Sequence, residues 1–321
     1  MIQKTDSLLI VGAGSIGERH LRNLLALGYG NLVVYRQRNL PFRTLDPGQV
    51  RVVTDFAEAL ALRPKAAFIT SPTAQHLPQA LACAEAGMHL FIEKPLSHTP
   101  EGLDQLNAVA TEKGVYVYVG YMMRFHPLIR QVQELIATRR FGKLLSFTTH
   151  WGEYLPDWHP WEDYRTSYAA RKELGGGAAL TLSHDLDAVL WLAASPLTRY
   201  YALPNRASAL EVDVEAGMDF LLQFESGATG HVHLNFFEQP PTRYLHFVFE
   251  AGTAHFDYYA SELRLATRTN TDSIKMPNFD RNQLFVDQTI YFFEQLRTFR
   301  PEDSTANIEF AARIIGMCQE A

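Results

Sequence analysis

The sequence predicts an α/β half joined to an α+β half: a doubly wound parallel sheet over residues 1–123, then an open, mainly antiparallel sheet domain over 124–321. Three observations carry this. Up to about residue 121, short apolar runs alternate with stretches of helical period, the pattern of strand-helix-strand units. A glycine-rich turn follows the first apolar run. Beyond residue 123 the period shortens to two and hairpin turns appear.

Taken in order, Leu8–Val11 reads as a short buried strand and Ser15–Leu27 as a helix, with Ile16, Leu21, Leu24, Leu25 and Leu27 at helical spacing. Leu32–Tyr35 and Arg51–Val53 read as strands, and Phe56–Leu62 as a helix ending before Pro64. Ala66–Thr70 is the fourth strand, Ala74–Ala86 a helix stopped by Gly87, and His89–Glu93 the fifth strand. Pro100–Lys113 is helical up to Gly114, and Val115–Tyr121 is the sixth strand. After a helix at about Pro127–Arg139, Leu145, Phe147, Thr149 and Trp151 alternate onto one strand face. Phe220–Phe224 and Ala228–Leu234 flank Glu225-Ser226-Gly227, and His246–Glu250 and Thr253–Phe256 flank Ala251-Gly252, as hairpins do. Helices return at about Asp287–Phe299 and Ala306–Glu320.

Composition narrows the class. The 321 residues are 47% apolar and 20% charged, ordinary for a globular chain, so disorder, collagen-like repeat and coiled coil are excluded as the main architecture. The formal net charge of −6 argues against nucleic acid as a partner. No apolar stretch reaches the roughly 18 residues of a spanning helix, so no membrane partner is expected, and the first apolar run is too short for a signal peptide. Cys83 and Cys318 cannot make a disulfide framework; they fit a reducing compartment, and a cytoplasmic location is expected.

Gly12-Ala13-Gly14-Ser15-Ile16-Gly17 matches G-x-G-x-x-G between a strand and a helix. In that setting Gly12 permits the tight turn, Gly14 lets the backbone approach a pyrophosphate, and Gly17 lets helix and strand pack. Ser15 and Ile16 open the helix, whose free N–H groups face the phosphates. The alternative is a glycine-rich turn that serves packing alone. The second strand runs into Arg36-Gln37-Arg38 with no carboxylate for a ribose 2′-hydroxyl. Two guanidinium groups suit a 2′-phosphate, which favours NADP(H) over NAD(H). Alternatively, Arg36 and Arg38 are solvated loop charges, or Arg36 stacks on adenine without selecting a cofactor.

Three further segments follow successive strands: Thr70-Ser71-Pro72-Thr73-Ala74-Gln75-His76, Glu93-Lys94-Pro95, and Gly120-Tyr121-Met122-Met123-Arg124-Phe125-His126-Pro127. With the glycine turn and Arg19-His20, they resemble the glucose-fructose oxidoreductase / inositol dehydrogenase / MocA (Gfo/Idh/MocA) family of NAD(P)-dependent oxidoreductases. The resemblance covers nearly the whole chain. It takes in Tyr154-Leu155-Pro156-Asp157-Trp158-His159-Pro160, Asp163-Tyr164-Arg165, and the run Gly175-Gly176-Gly177 that leads to Thr181-Leu182-Ser183-His184-Asp185-Leu186-Asp187. The family usually carries an aspartate where this chain has Thr181. Threonine cannot act as a carboxylate base, so proton transfer at that position is in doubt.

The resemblance implies reversible hydride transfer between a nicotinamide ring and a hydroxyl or carbonyl carbon of a sugar, sugar derivative or cyclitol. It extends cofactor contact to Ser71, Pro72, Thr73, His76, Glu93 and Lys94. Lys94 would bond the reacting oxygen, and His184, whose imidazole titrates near neutral pH, is the acid/base candidate. For each the alternative is structural: a solvated lysine before a turn, a helix-start histidine satisfied by backbone. Asp187 orients His184 or the substrate, or is a first-turn acid favoured by the helix dipole. Thr181 bonds a substrate hydroxyl or only fills space, and Glu93 orients Lys94 or is structural. Arg124 faces substrate or pairs with an acid. Trp158, His159 and Tyr164 suit the faces and hydroxyls of a polyhydroxylated ring, or else anchor a long loop. His231, His233 and Asn235 lack a third ligand at a recognisable spacing, so no metal is expected. The resemblance also implies a homodimer or homotetramer packed through the open sheet. Two other functions share the scaffold: an NAD-dependent glycosidase and a non-catalytic cofactor-sensing regulator.

Overall fold

The computed structural model describes residues 2–37 and 41–319; Arg38 lies outside the described residues. By internal contacts the chain divides into two units. The first takes Met1–Gly120 with Phe285–Gly316, the second Tyr121–Leu284 with the C-terminal residues from Met317.

In the first unit β1 (Leu8–Val11), α1 (Ser15–Ala26), β2 (Leu32–Tyr35), β3 (Arg51–Val53), α2 (Phe56–Ala61), β4 (Ala66–Ile69), α3 (His76–Glu85), β5 (His89–Glu93), α4 (Leu103–Lys113) and β6 (Val117–Gly120) follow in order. Among the described residues the strands form a six-stranded sheet in the order β3-β2-β1-β4-β5-β6, every pair parallel. β1, β4 and β6 are buried along their whole length, as strands covered on both faces must be. The order reverses between β1 and β4, and ligands of open α/β sheets bind beside the strand ends at such a switch.

In the second unit come α5 (Pro127–Ala137), β7 (Leu144–Tyr154), α6 (Ala178–Thr181), α7 (His184–Ala193), β8 (Leu197–Asn205), β9 (Gly217–Phe224), β10 (Thr229–Asn235), β11 (Phe237–Phe249), β12 (Gly252–Asp257), β13 (Glu262–Ala266) and β14 (Thr271–Lys275). These strands form an eight-stranded sheet, β14-β13-β12-β11-β7-β10-β9-β8, antiparallel except for the parallel pair of β7 and β10. One face is apolar and buried, with Phe147, Phe220, Val232, Leu234, Leu245, Phe247 and Phe256. The opposite face carries polar side chains and, at one end, Tyr201 (63% exposed), Leu203 (68%) and Leu221 (57%). His231 and His233 belong to this open face, where both bond Oδ1 of Asp219 at 2.8 and 2.7 Å. Among the described residues no cluster of three or more His, Cys, Asp or Glu is placed to hold a metal ion.

The last helices, α8 (Asn282–Gln295) and α9 (Pro301–Gln319), differ from a simple division near residue 123. Most of their length groups with the first unit. Phe292 sits 5.7 Å from the rings of both Phe68 and Phe91. Ser304 Oγ accepts from the Val117 N–H (3.1 Å) and reaches the Val115 carbonyl, while Asn307 Nδ2 donates to the Val117 carbonyl (2.9 Å). The exposed edge of β6 would otherwise present unpaired backbone groups, and these side chains satisfy them. A sequence pass sees two amphipathic helices but not the edge they cover. Among the described residues no helix is long and apolar enough to cross a membrane.

Candidate functional site

The first unit builds its site from backbone. Gly12 has φ +93°, a value that favours glycine, and its N–H bonds the Tyr35 carbonyl at 2.9 Å. A Cβ on Gly17 would collide with the Gly12 carbonyl and the Thr70 hydroxyl, so α1 can approach the turn only without one. At Gly14, the N-cap of α1, a Cβ would meet nothing within 4 Å. A bound dinucleotide fits this arrangement: the space beside Gly14 is open, at the N-terminus of α1 where a pyrophosphate is bound in such folds. Arg36, 9% exposed at the end of β2, lies 4.6 Å over the ring of Phe42, and its Nη1 is buried with no hydrogen-bond partner. An orphaned guanidinium N–H beside the second strand fits an anionic group on the ribose.

Two residues behind this loop carried no role in the sequence reading. Glu18, on α1, is buried and accepts from the backbone N–H of Arg43 (2.8 Å) and Thr44 (3.1 Å). His20, one turn after Gly17 on the helix, is fully buried among Phe68, Phe91 and Phe285 and bonds Glu93 Oε1 at 2.7 Å. Glu93 Oε2 in turn accepts from the Lys94 N–H (3.3 Å). Glu93 is thereby committed to protein partners, and it ties the phosphate-loop helix to the turn that carries Lys94. The Lys94-Pro95 peptide is cis.

His76 was expected to touch cofactor, but it spends both ring nitrogens on main chain. Nδ1 lies 2.8 Å from the Pro95 carbonyl and Nε2 2.7 Å from the Ser71 carbonyl. Burial lowers its pKa and so favours the neutral ring, whose single N–H donates to one of these two carbonyls according to the tautomer. His76 braces the Ser71 turn against the Lys94 turn. Ser71 donates its hydroxyl to Gln79 (2.6 Å), and Thr73 is buried beside Pro72 at the start of the short 3₁₀ turn before α3.

The second unit builds its site from buried charge. α7 opens on His184-Asp185-Leu186-Asp187, all four buried. Asp187 accepts from Arg124 Nε (3.0 Å) and Nη2 (2.5 Å), so two expected substrate contacts are partners of each other. Burial raises the Asp187 pKa, and the guanidinium opposes that rise. Asp185 accepts from Arg243 Nε (3.0 Å) and Nη2 (2.5 Å) on Oδ1, and from the Thr149 hydroxyl (2.7 Å) on Oδ2. His184 meets the edge of Tyr121 (5.8 Å) and stacks on Trp151 (6.1 Å). Thr181 ends α6, buried, three residues ahead of His184.

The aromatic loop is fastened to its own unit. Trp158 meets Phe236 edge-on at 5.5 Å, and His159 meets Trp161 at 5.2 Å. The Tyr164 hydroxyl accepts from the Glu211 N–H (3.1 Å). Arg243 and Trp151 had no local signal: nothing near either in sequence marks it as a partner of α7.

The parallel sheet with its glycine turn and switch point makes the first unit a dinucleotide-binding domain by fold. Residues 7–121 match the model of the oxidoreductase family with an NAD-binding Rossmann fold, and residues 129–255 match the GFO/IDH/MocA C-terminal domain. The chain belongs to the Gfo/Idh/MocA oxidoreductase family. It is 30% identical to the uncharacterized oxidoreductase YrbE of Bacillus subtilis over 231 residues, 68% of this chain and 64% of that one. It is 28% identical to a D-xylose 1-dehydrogenase (NADP(+)) of Haloferax volcanii over 184 residues, 56% and 52% of the two chains. The matches thus span between about half and two thirds of these relatives' length. A solved levoglucosan dehydrogenase in complex with NADH and levoglucosan has the same fold, with a TM-score of 0.82 at 17% identity over 98% of this chain and 96% of that one.

Proposed function

We propose that the chain is an NAD(P)-dependent oxidoreductase that moves a hydride between a nicotinamide cofactor and a hydroxyl or carbonyl carbon of a sugar, sugar derivative or cyclitol. The observation that carries this is the phosphate loop, with open space at Gly14, tied through His20 and Glu93 to the turn bearing Lys94. A bound nicotinamide supplies or accepts the hydride. In the oxidising direction the substrate carbon loses hydride and its hydroxyl loses a proton; the reverse restores both. Lys94 stabilises the charge developing on that oxygen, and His184 holds the proton. Thr181 contributes a hydroxyl, not a base, so His184 carries proton transfer that a carboxylate would otherwise share. Trp158, His159 and Tyr164 offer ring faces and polar tips to a polyhydroxylated substrate.

NADP(H) is the preferred cofactor in this reading. Its support is Arg36, with a buried, unpartnered Nη1, and the lack of any carboxylate in the stretch from Tyr35 to Arg38. A second copy of the chain covers the open face around Tyr201, Leu203 and Leu221, giving a dimer or tetramer that light scattering would reveal. Two free buried cysteines, Cys83 and Cys318, fit a cytoplasmic setting.

The test is nicotinamide absorbance with a polyol panel, using wild type and Lys94→Met. The proposal expects turnover by wild type on at least one polyol and its loss in the variant. Undiminished turnover by Lys94→Met would remove Lys94 from the mechanism, and tenfold tighter binding of NADH than NADPH would reverse the cofactor preference.

A further inference from the structure

We infer that Arg243, Asp185 and Trp151 are positioning residues that fix the imidazole of His184; this rests on reading His184 as the proton-transferring group. Asp185 follows His184 directly and is fully buried, and its carboxylate takes all its donors from protein: Arg243 twice and Thr149 once. Arg243 is 2% exposed, one of the largest fully buried side chains of the molecule. Its guanidinium lies 3.7 Å from the centroid of the Trp151 indole and 4.8 Å from that of Tyr258. The same indole stacks on His184 with its plane 30° from the imidazole. Strand register sets this up, because Arg243 on β11 pairs with Trp151 on β7, two residues from Thr149 on the same strand face.

The arrangement holds His184 twice. Its chain neighbour Asp185 locks the backbone of the first turn of α7, and the indole, pressed by the guanidinium, limits the tilt of the imidazole. A buried ion pair is a poor device for stability alone, since apolar side chains of similar volume commonly serve as well or better. What it provides is direction. Two bonds to one carboxylate oxygen and a third to the other leave the carboxylate a single arrangement, and proton transfer depends on such placement. Asp187 and Arg124 pin the next part of the turn separately, so the Asp185 pair is not needed merely to start the helix.

The experiment replaces the pair without leaving a lone charge. The double variant Asp185→Asn/Arg243→Met is expected to keep its circular dichroism and its NADPH affinity, with KM changed less than about threefold. Its kcat should fall by about a hundredfold, the scale of a 1 Å misplacement. The His184 Cε1–H resonance should move in position and in titration midpoint. Trp151→Phe, which keeps a stacked ring, should retain most of kcat, whereas Trp151→Leu should lose it as the double variant does; this pair carries the test should the double variant fail to fold. A folded double variant, or Trp151→Leu, with wild-type kcat and an unmoved His184 resonance overturns the inference. His184→Asn is measured alongside. If it abolishes turnover while the others leave kcat intact, the inference falls and the reading of His184 stands. If His184→Asn itself turns over normally, that reading falls, and the resonance alone then decides whether the three residues hold the ring.

Discussion

The phosphate loop and the start of α7 present two ways of making a site. At the loop, Gly12 and Gly17 work by lacking side chains, and the functional surface is backbone. At α7 the site is made of buried aspartates, each paired with an arginine 63 or 58 positions away in sequence. The first kind is specified locally and tolerates no added atom at Gly12 or Gly17. The second is specified at long range and tolerates no removed one.

The contrast breaks most sharply at Arg124. Arg124→Met leaves Asp187 buried without its partner and should cost roughly 3 kcal/mol in urea denaturation. Burial already raises the Asp187 pKa, and the loss of Arg124 raises it further. A carboxyl raised in the folded state contributes stability below its unfolded pKa and loses it as pH climbs through the folded value. The deficit of the variant should therefore be larger at about pH 8 than at about pH 5; a deficit independent of pH would mean that Asp187 stays ionised across that range, its pKa not raised into it.

Gly17→Ala tests the opposite kind of site. The added methyl meets the Gly12 carbonyl, so α1 must shift, at about 1–3 kcal/mol of stability, and dinucleotide affinity should fall with it. Gly14→Ala should separate the two effects. Its methyl enters empty space, so stability should change by less than about 1 kcal/mol. Affinity for NADPH should still drop about tenfold, equivalent to about 1.4 kcal/mol, because the methyl stands where the phosphates approach. Equal affinity in Gly14→Ala would show that the loop serves packing alone.

The smallest effect belongs to His126, whose pKa is lowered to about 4 by burial and by the charge of Arg243. Its Nδ1 accepts from the Leu128 N–H and caps α5, a role that needs the neutral ring. A base depressed in the folded state contributes stability above its unfolded pKa near 6.5 and loses it as pH falls toward about 4. His126→Gln should flatten the loss of stability across that window, read as the denaturation midpoint against pH.

How much of this was legible follows from the same contrast. The parallel sheet of the first unit and the glycine turn show in the chain, because each is a local pattern of period and turn, while a helix start at His184 shows only as the structural alternative for that residue. The change of period near residue 123 marked the second sheet for the same reason. A structural pairing is one of two roles the sequence admits for Arg124, but nothing local names Asp187 as its acid. Nor does anything local give a role to His20, which needs Glu93, 73 positions on, to acquire one. Arg243 was invisible because a lone arginine in a strand normally faces water, and only the register of β11 on β7 turns it inward. The return of α8 and α9 to the first unit was hidden likewise, since amphipathic period reveals that a face is buried and not what buries it.

Glu18 sets a further condition on the segment after β2. Its carboxylate holds the N–H groups of Arg43 and Thr44, while the Arg36 N–H is bonded to the Val53 carbonyl at 3.2 Å. For anyone redirecting the nucleotide preference, Glu18 is therefore a residue to leave in place, because it anchors chain well removed from it in sequence without itself meeting a nucleotide.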